Sequence, residues 1–149
     1  MSRVLVAAEA SGPVLILDEP ISFWGGVEPR SGTIVEKGHP QYGESMEGRI
    51  LSLSHGRGSS SSSSVLAEMI RRGSAPVGVI LGEVDAMLVL GAVVAEELYG
   101  TATPVIVADR AIRDSLRTGE EARIEADGSV TIPGDLFRKW NGSADMRGR

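Results

Sequence analysis

Short, uninterrupted apolar runs constrain the fold of this chain most strongly. Val14–Leu17 and the run PVGVIL at 76–81 each have the length of one strand, and each ends at polar or glycine residues. A run of this length without polar alternation is typical of a buried strand. Two further segments, GRILSLSHG and TPVIVAD, have a similar character and predict two more strands.

Helical patterns separate these runs along the chain. The apolar positions of 65–70 recur at helical spacing, and the basic last turn before Gly73 predicts where that helix ends. Residues 92–99 predict a second helix that closes at Gly100, and EARIEADGSVTI predicts a hairpin that turns at Asp127-Gly128.

The order of these elements predicts the fold class. Strands come first and then alternate with helices, which indicates an α/β fold in which helices pack on a β-rich sheet or flattened barrel. The 149 residues fit a single domain over 1–149, and the polar residues from about 141 predict a frayed end.

Composition excludes several classes of function. The formal net charge is −5 and no basic cluster exceeds Arg71-Arg72, which argues against a nucleic-acid partner. Cysteine is absent and there are two histidines, so we expect no metal site built from this chain alone. No apolar run approaches the roughly 20 residues of a membrane helix, and no signal segment is evident, so we expect a cytoplasmic protein without a membrane partner.

The stretch HGRGSSSSSSVLAEMIRR, residues 55–72, contains six consecutive serines and allows two interpretations. Polar low-complexity segments are usually flexible linkers. This run, however, lies between a predicted strand and a predicted helix, far from any domain boundary. Gly56-Arg57-Gly58 would form a tight turn there, and the first serines would lie at or before the start of the helix, where unpaired N–H groups favour an anion. Arg57 would add charge or a bidentate grip on a carboxylate or phosphate.

Several separated blocks resemble, in order, the swivel domain of the aconitase X family. They are SFWGGVEP, GHPQYGES, GRGSSS and LGAVVAEELYG, and the resemblance covers about 20–109. It implies a single aconitase-type swivelling β/α domain. In that family this domain is either fused to a larger catalytic domain or made as a separate small subunit, and this chain is similar to the small subunit.

The resemblance also implies a role for the serine run. In the wider superfamily a serine from a Gly-Ser-Ser loop of the swivel domain is the base that dehydrates a hydroxy acid. Carried onto this sequence, the catalytic serine is Ser59, and the substrate-binding residues are Arg57, Gly58, Ser60 and Ser61. Ordinary aconitases have an arginine where this chain has Ser61, so the cation that grips the substrate would be Arg57 or would come from the partner.

The implied protein is therefore a hydro-lyase subunit that acts with a large catalytic subunit. The resemblance places an iron or iron–sulfur centre in that partner and none in this chain, and it implies a small anionic substrate. The substrates of the family are cis-3-hydroxy-L-proline, which we favour, and mevalonate 5-phosphate. Because serine is a poor base at neutral pH, we expect the chain alone to be inactive. The alternatives are a non-catalytic, anion-binding regulatory module with the same fold and a passive assembly scaffold.

Other polar and aromatic residues have plainer interpretations. We interpret His39 and His55 as structural, Trp24 as a core residue rather than part of a surface that faces the large subunit, and Glu83 with Asp85 as turn or helix-start residues. The apolar residues 87–94 are expected in the core.

Overall fold

The computed structural model describes residues 2–58 and 60–133 and folds them into strands and helices around one large sheet. The strands are β1 (Ser2–Val6), β2 (Ala10–Ile16), β3 (Val27–Glu28), β4 (Thr33–Ile34), β5 (Ile50–Leu53), β6 (Gly78–Leu81), β7 (Val105–Ala108), β8 (Glu121–Ile124) and β9 (Val130–Thr131). The helices are the single turn α1 (Phe23–Gly26), α2 (Ser61–Arg72), α3 (Ala86–Tyr99) and α4 (Arg110–Asp114).

The large sheet has seven strands in the order β1-β7-β6-β5-β2-β8-β9. Its centre is parallel, because β2 pairs with β5, β5 with β6 and β6 with β7 in parallel register. Antiparallel strands complete both edges: β1 on β7, and β8 with β9 beyond β2. Strands β3 and β4 form a separate small hairpin.

Both faces of the central strands are buried, which explains the uninterrupted apolar runs of the sequence. Leu51 and Val79 belong to a core that includes residues of α2 and α3 on one face. Ile50 and Ile80, their neighbours in the strands, belong to a second core with residues of α4, β8 and β9. A polar residue on either face of these strands would therefore lose its contact with water.

The sheet curls until its two ends meet. The Ser2 hydroxyl of β1 donates a hydrogen bond to the Gly128 carbonyl in the turn between β8 and β9, at 2.6 Å. Gly128 has a φ of 90°, and a Cβ on it would lie 2.7 Å from Cγ2 of Val4. The fold is thus the α/β domain with a curled, β-rich sheet and packed helices that the sequence predicts.

Several elements differ from their sequence-based predictions. Strand β1 and helix α4 were not predicted, and α3 begins at Ala86 rather than at residue 92 because Asp85 caps it. The expectation that 87–94 lies in the core is wrong in part, since Leu90 and Val93 are more than two-fifths exposed. The predicted frayed end lies outside the described residues.

The central position of β5 generates a prediction about stability. Leu51 is fully buried, and Leu51→Ala should lower the free energy of unfolding by about 2–5 kcal/mol through lost transfer energy and the cavity left behind. Urea denaturation measures the change. The matched control is Leu98→Ala, because Leu98 is 66% exposed and its truncation should change stability by about 0.5 kcal/mol or less. Equal losses in the two variants would contradict the assignment of Leu51 to the core.

Candidate functional site

Three segments meet where the parallel strands β2, β5 and β6 end. The segment after β5 donates its Arg57 backbone N–H to the Ile21 carbonyl of the segment after β2, at 2.8 Å. The segment after β6 also contacts the segment after β5, since the Gly82 N–H donates to the Ser54 carbonyl at 2.9 Å. The carboxyl edge of parallel strands is where open α/β sheets bind ligands, so this edge is the candidate site.

The glycine–serine loop, residues 56–60, is the centre of this edge and connects β5 to α2. The Gly56 N–H donates to Oδ2 of Asp85 at 2.7 Å. A Cβ on Gly56 would lie at that same distance from Oδ2, so only glycine allows this close approach. The loop thus has a fixed first half rather than the free course of a linker.

Arg57 lies in this loop with its side chain about half exposed and already paired. Its Nη2 donates to Oε2 of Glu36 at 2.6 Å and lies 3.4 Å from the Pro20 carbonyl. An anionic substrate that used Arg57 would have to share the guanidinium with Glu36 or displace it. The role of Arg57 in substrate binding stays a prediction.

Helix α2 begins in the serine run without a capping bond from the side chain of its N-cap residue. Ser60 occupies the N-cap position without a side-chain capping hydrogen bond, and the first turn contains no acidic residue. By contrast, Asp85 caps α3 and Asp109 caps α4 with their carboxylates. The positive end of the α2 dipole is therefore not neutralised by a side chain of its own first turn.

Ser62 adds an unusual buried hydroxyl to this end of the helix. The residue is 4% exposed, and its Oγ has no hydrogen-bond partner. A Cβ on Gly58 would collide with that Oγ, which shows how closely the loop passes over the helix. The cavity beneath the loop has a volume of only 10 Å³, space for about one water molecule, so a substrate must approach from the exposed side.

The structure brings four of the five predicted site residues together. Arg57, Gly58 and Ser60 lie exposed between β5 and α2, and Ser61 is the exposed first residue of α2. The proposed base, Ser59, lies outside the described residues. The prediction that 62–64 form the first turn of the helix is confirmed.

The two histidines have different surroundings. His39 is buried, with Nδ1 accepting from the Gln41 N–H at 3.0 Å and Nε2 donating to the Glu19 carbonyl at 3.0 Å, so its structural role is confirmed. His55 donates from Nδ1 to the Gly56 carbonyl at 2.7 Å, and its Nε2 lies 3.9 Å from Glu83. Both contacts of His55 are within the loop region, which agrees with a structural role.

The prediction that Trp24 lies in the core is wrong. Its side chain is 63% exposed and borders a groove of 290 Å³ beside the first turns of α2. α1 is too short to bury both of its aromatic residues, and Phe23 takes the interior position. Glu68 closes the groove, and two hydrogen bonds from Arg71 lower the pKa of its carboxyl to about 2. Arg72 pairs with the same carboxylate, so its negative charge is matched by two guanidinium groups.

Asp85 makes a contact that the sequence does not predict. The sequence predicts a turn or helix start at this position, which is confirmed by the hydrogen bonds that its Oδ1 accepts from the Met87 and Leu88 N–H groups. The additional bond to Gly56 crosses 29 positions of sequence. No local pattern encodes that contact.

Among the described residues, no group of three or more His, Asp or Glu side chains is placed to hold a metal ion, and the chain has no cysteine. The donor set of an iron centre is thus not found in this part of the chain.

None of the helices in the described ranges is both long and apolar enough to cross a membrane.

The contact between Gly58 and Ser62 generates a second prediction. Gly58→Ala should lower the free energy of unfolding by about 1–3 kcal/mol, because the added methyl group must displace Ser62 or the loop. Ser62→Ala alone should leave stability unchanged or raise it, since it removes a buried hydroxyl without a partner. The double variant should therefore recover part of the loss in a urea double-mutant cycle, and strict additivity would contradict the contact.

Comparisons with known proteins identify the family of this chain. The family model described as the aconitase X swivel domain matches residues 1–132. The chain is 44% identical over 133 residues to the cis-3-hydroxy-L-proline dehydratase of Pseudomonas aeruginosa, which covers 89% of this chain but only 23% of that protein. It is 36% identical over 120 residues to the phosphomevalonate dehydratase small subunit of Methanopyrus kandleri, covering 80% of this chain and 84% of that protein.

A solved structure shares the fold as well. The crystal structure of Thermococcus kodakaraensis aconitase X in its holo form superposes with a TM-score of 0.75 at 29% identity, covering 85% of this chain and 91% of that one. The chain spans about a quarter of the length of the Pseudomonas enzyme and most of the length of the Methanopyrus subunit. With the family model matching most of its length, the chain belongs to the aconitase X swivel-domain family.

Proposed function

We propose that this chain is the small subunit of an aconitase X-type dehydratase and contributes the glycine–serine loop to an active site shared with a large subunit. The names of its relatives support this role, since both groups reported above are dehydratases. The single observation that carries the proposal is the loop itself. It is exposed, rich in hydroxyls and fixed at the amino end of α2.

The chemistry of dehydration suits such a loop. The reaction breaks a C–H bond and a C–O bond, forms a carbon–carbon double bond and releases water. The proposed base, Ser59, would accept the carbon-bound proton, and its anionic form would be favoured by the α2 dipole and by neighbouring cations. Gly58, Ser60 and Ser61 would hold oxygen atoms of the substrate.

The proposed large subunit supplies what the described residues lack. The iron or iron–sulfur centre expected from the family resemblance would assist departure of the hydroxyl group from the partner's side of the site. We also propose that the partner covers the Trp24 groove, because Trp24 is the largest exposed side chain next to the first turns of α2. Tryptophan is enriched where interfaces concentrate their binding energy.

The proposed substrate is cis-3-hydroxy-L-proline. Identity to the Pseudomonas enzyme exceeds identity to the Methanopyrus subunit, 44% against 36%. Mevalonate 5-phosphate is the alternative substrate, supported by the match in length to the small subunits. Both molecules are anionic, so the loop geometry does not separate them.

A test of the base uses this chain assembled with the large subunit encoded in the same genome. Ser59→Ala should reduce the rate of dehydration at least about a hundredfold, the lower end of what a positioned proton-transfer group contributes. Formation of the unsaturated product from cis-3-hydroxy-L-proline and from mevalonate 5-phosphate is followed separately.

The control for this test is Ser11→Ala, since Ser11 lies exposed near the amino end of β2, at the opposite end of the sheet from the loop. It should keep the wild-type rate. A Ser59→Ala complex that dehydrates at the wild-type rate would exclude Ser59 as the base, and an inactive wild-type complex would exclude both substrates.

A separate prediction concerns the partner surface. Trp24→Ala should weaken association with the large subunit at least about thirtyfold, which corresponds to the roughly 2 kcal/mol of a hot-spot residue. Isothermal titration calorimetry measures the affinity. The control is Leu98→Ala, which removes a similarly exposed apolar side chain near the carboxyl end of α3. It should leave the affinity unchanged.

The runner-up function is a non-catalytic module that binds an anionic metabolite through the same loop. The exposed, hydroxyl-rich loop at the start of α2 favours it as much as it favours catalysis. Under this alternative, the isolated chain binds an anion and the large subunit is fully active alone. Measuring dehydration by the large subunit with and without this chain distinguishes the two functions.

A further inference from the structure

We propose that Asp85 is a positioning residue that sets the glycine–serine loop at its working distance from the substrate. This inference rests on the proposed function. Asp85 does not lie in the loop and precedes α3, yet one of its oxygens binds the loop directly. Oδ2 accepts from the Gly56 N–H at 2.7 Å, a short bond to a charged acceptor.

The other carboxylate oxygen is bound to a rigid element. Oδ1 accepts from the Met87 and Leu88 N–H groups at 3.1 and 3.2 Å, in the first turn of α3. The carboxylate therefore connects the loop to a 14-residue helix that packs on the sheet. A loop held in this way follows the helix rather than moving independently.

Helix α3 also contacts the far end of the serine run. Gly91 lies against α2, and a Cβ on it would come within 2.8 Å of the Ser63 carbonyl. The same helix thus contacts the chain before the proposed base, through Asp85 and Gly56, and after it, through Gly91 and Ser63. The span between these contacts includes every residue to which we assign a role in the reaction.

The neighbouring contact confirms that the loop is held from two directions. The Arg57 N–H donates to the Ile21 carbonyl at 2.8 Å, directly after the Gly56 bond. Of these two backbone N–H bonds, the Gly56 bond has a side-chain acceptor, so a substitution of Asp85 can remove it without altering the backbone. A displacement of about 1 Å at a catalytic group can reduce the rate about a hundredfold.

The test is Asp85→Asn in the assembled two-subunit protein. Asparagine caps helices as well as aspartate does, so the bonds to α3 and the fold are retained. If the amide oxygen of the asparagine keeps accepting from the Met87 and Leu88 N–H groups, its NH₂ group faces the Gly56 N–H. Two donors cannot form a hydrogen bond, so the bond to Gly56 is lost. We expect kcat to fall by about a hundredfold while the melting temperature changes by less than about 5 °C.

The matched control is Asp109→Asn. Asp109 caps α4 through a bond from the Ile112 N–H to its Oδ1 at 3.1 Å, and α4 packs in the other core. If Asp85 were only a helix cap, the two asparagine variants would behave alike, with full rate and small changes in stability. Equal rates in the two variants would overturn the proposal.

Amide hydrogen exchange tests the contact without any need for activity. In Asp85→Asn, exchange at Gly56 should accelerate at least about tenfold, the loss expected for a hydrogen bond to a charged group, while exchange at Met87 and Leu88 stays slow. Unchanged exchange at Gly56 would overturn the proposal. If the wild-type complex were inactive, the proposed function would fail, and the exchange result would still decide whether Asp85 holds the loop.

A double-mutant cycle gives a final check on mechanism. Gly56→Ala places a methyl group against Oδ2 and should break the same bond from the other side. Because both changes remove one contact, the combined loss in kcat should equal the larger single loss rather than the product. Multiplicative losses would mean that Gly56 and Asp85 act separately, and they would contradict the proposal.

Discussion

Parallel pairing of β2, β5 and β6 is the constraint on which the rest of this structure depends. Because these strands run in the same direction, the segments that follow them leave the sheet at one edge. Three parts of the chain that are distant in sequence therefore meet there: the segment before α1, the glycine–serine loop and the start of α3. Short backbone hydrogen bonds between them become possible only through this arrangement. The candidate site is thus a consequence of strand direction, and its side chains are secondary to it.

The sequence predicts this framework well because burial leaves a clear local signal. Strands covered on both faces need apolar residues at every position, and the runs at 14–17 and 76–81 have that character. Helix ends are also locally encoded, since Gly73 and Gly100 adopt the left-handed conformation that terminates α2 and α3. The position of the serine run between strand and helix follows from the same signals, whereas the roles of Gly58, Ser60 and Ser61 were implied by the family resemblance alone.

What the sequence does not predict depends on long-range contacts or on competition for the core. Trp24 and Phe23 are adjacent and both favour burial, yet only Phe23 is buried. The start of α3 was misplaced because the residues 86–91 are as compatible with a buried strand as with a helix, and the Asp85 cap decides between them. The bond between Asp85 and Gly56 is the extreme case, since its two residues are joined by the fold alone.

The start of α2 departs from the rules of stable folding in two ways. A helix without a side-chain cap forgoes about 1 kcal/mol, and a buried hydroxyl without a partner costs roughly 1–3 kcal/mol. Both departures occur within three residues of each other, at Ser60 and Ser62, whereas α3 and α4 are capped by aspartates. Deviations from local consistency are expected at functional sites. Both departures lie at the helix start that the loop faces, and the Asp85 contact next to it holds the loop in place.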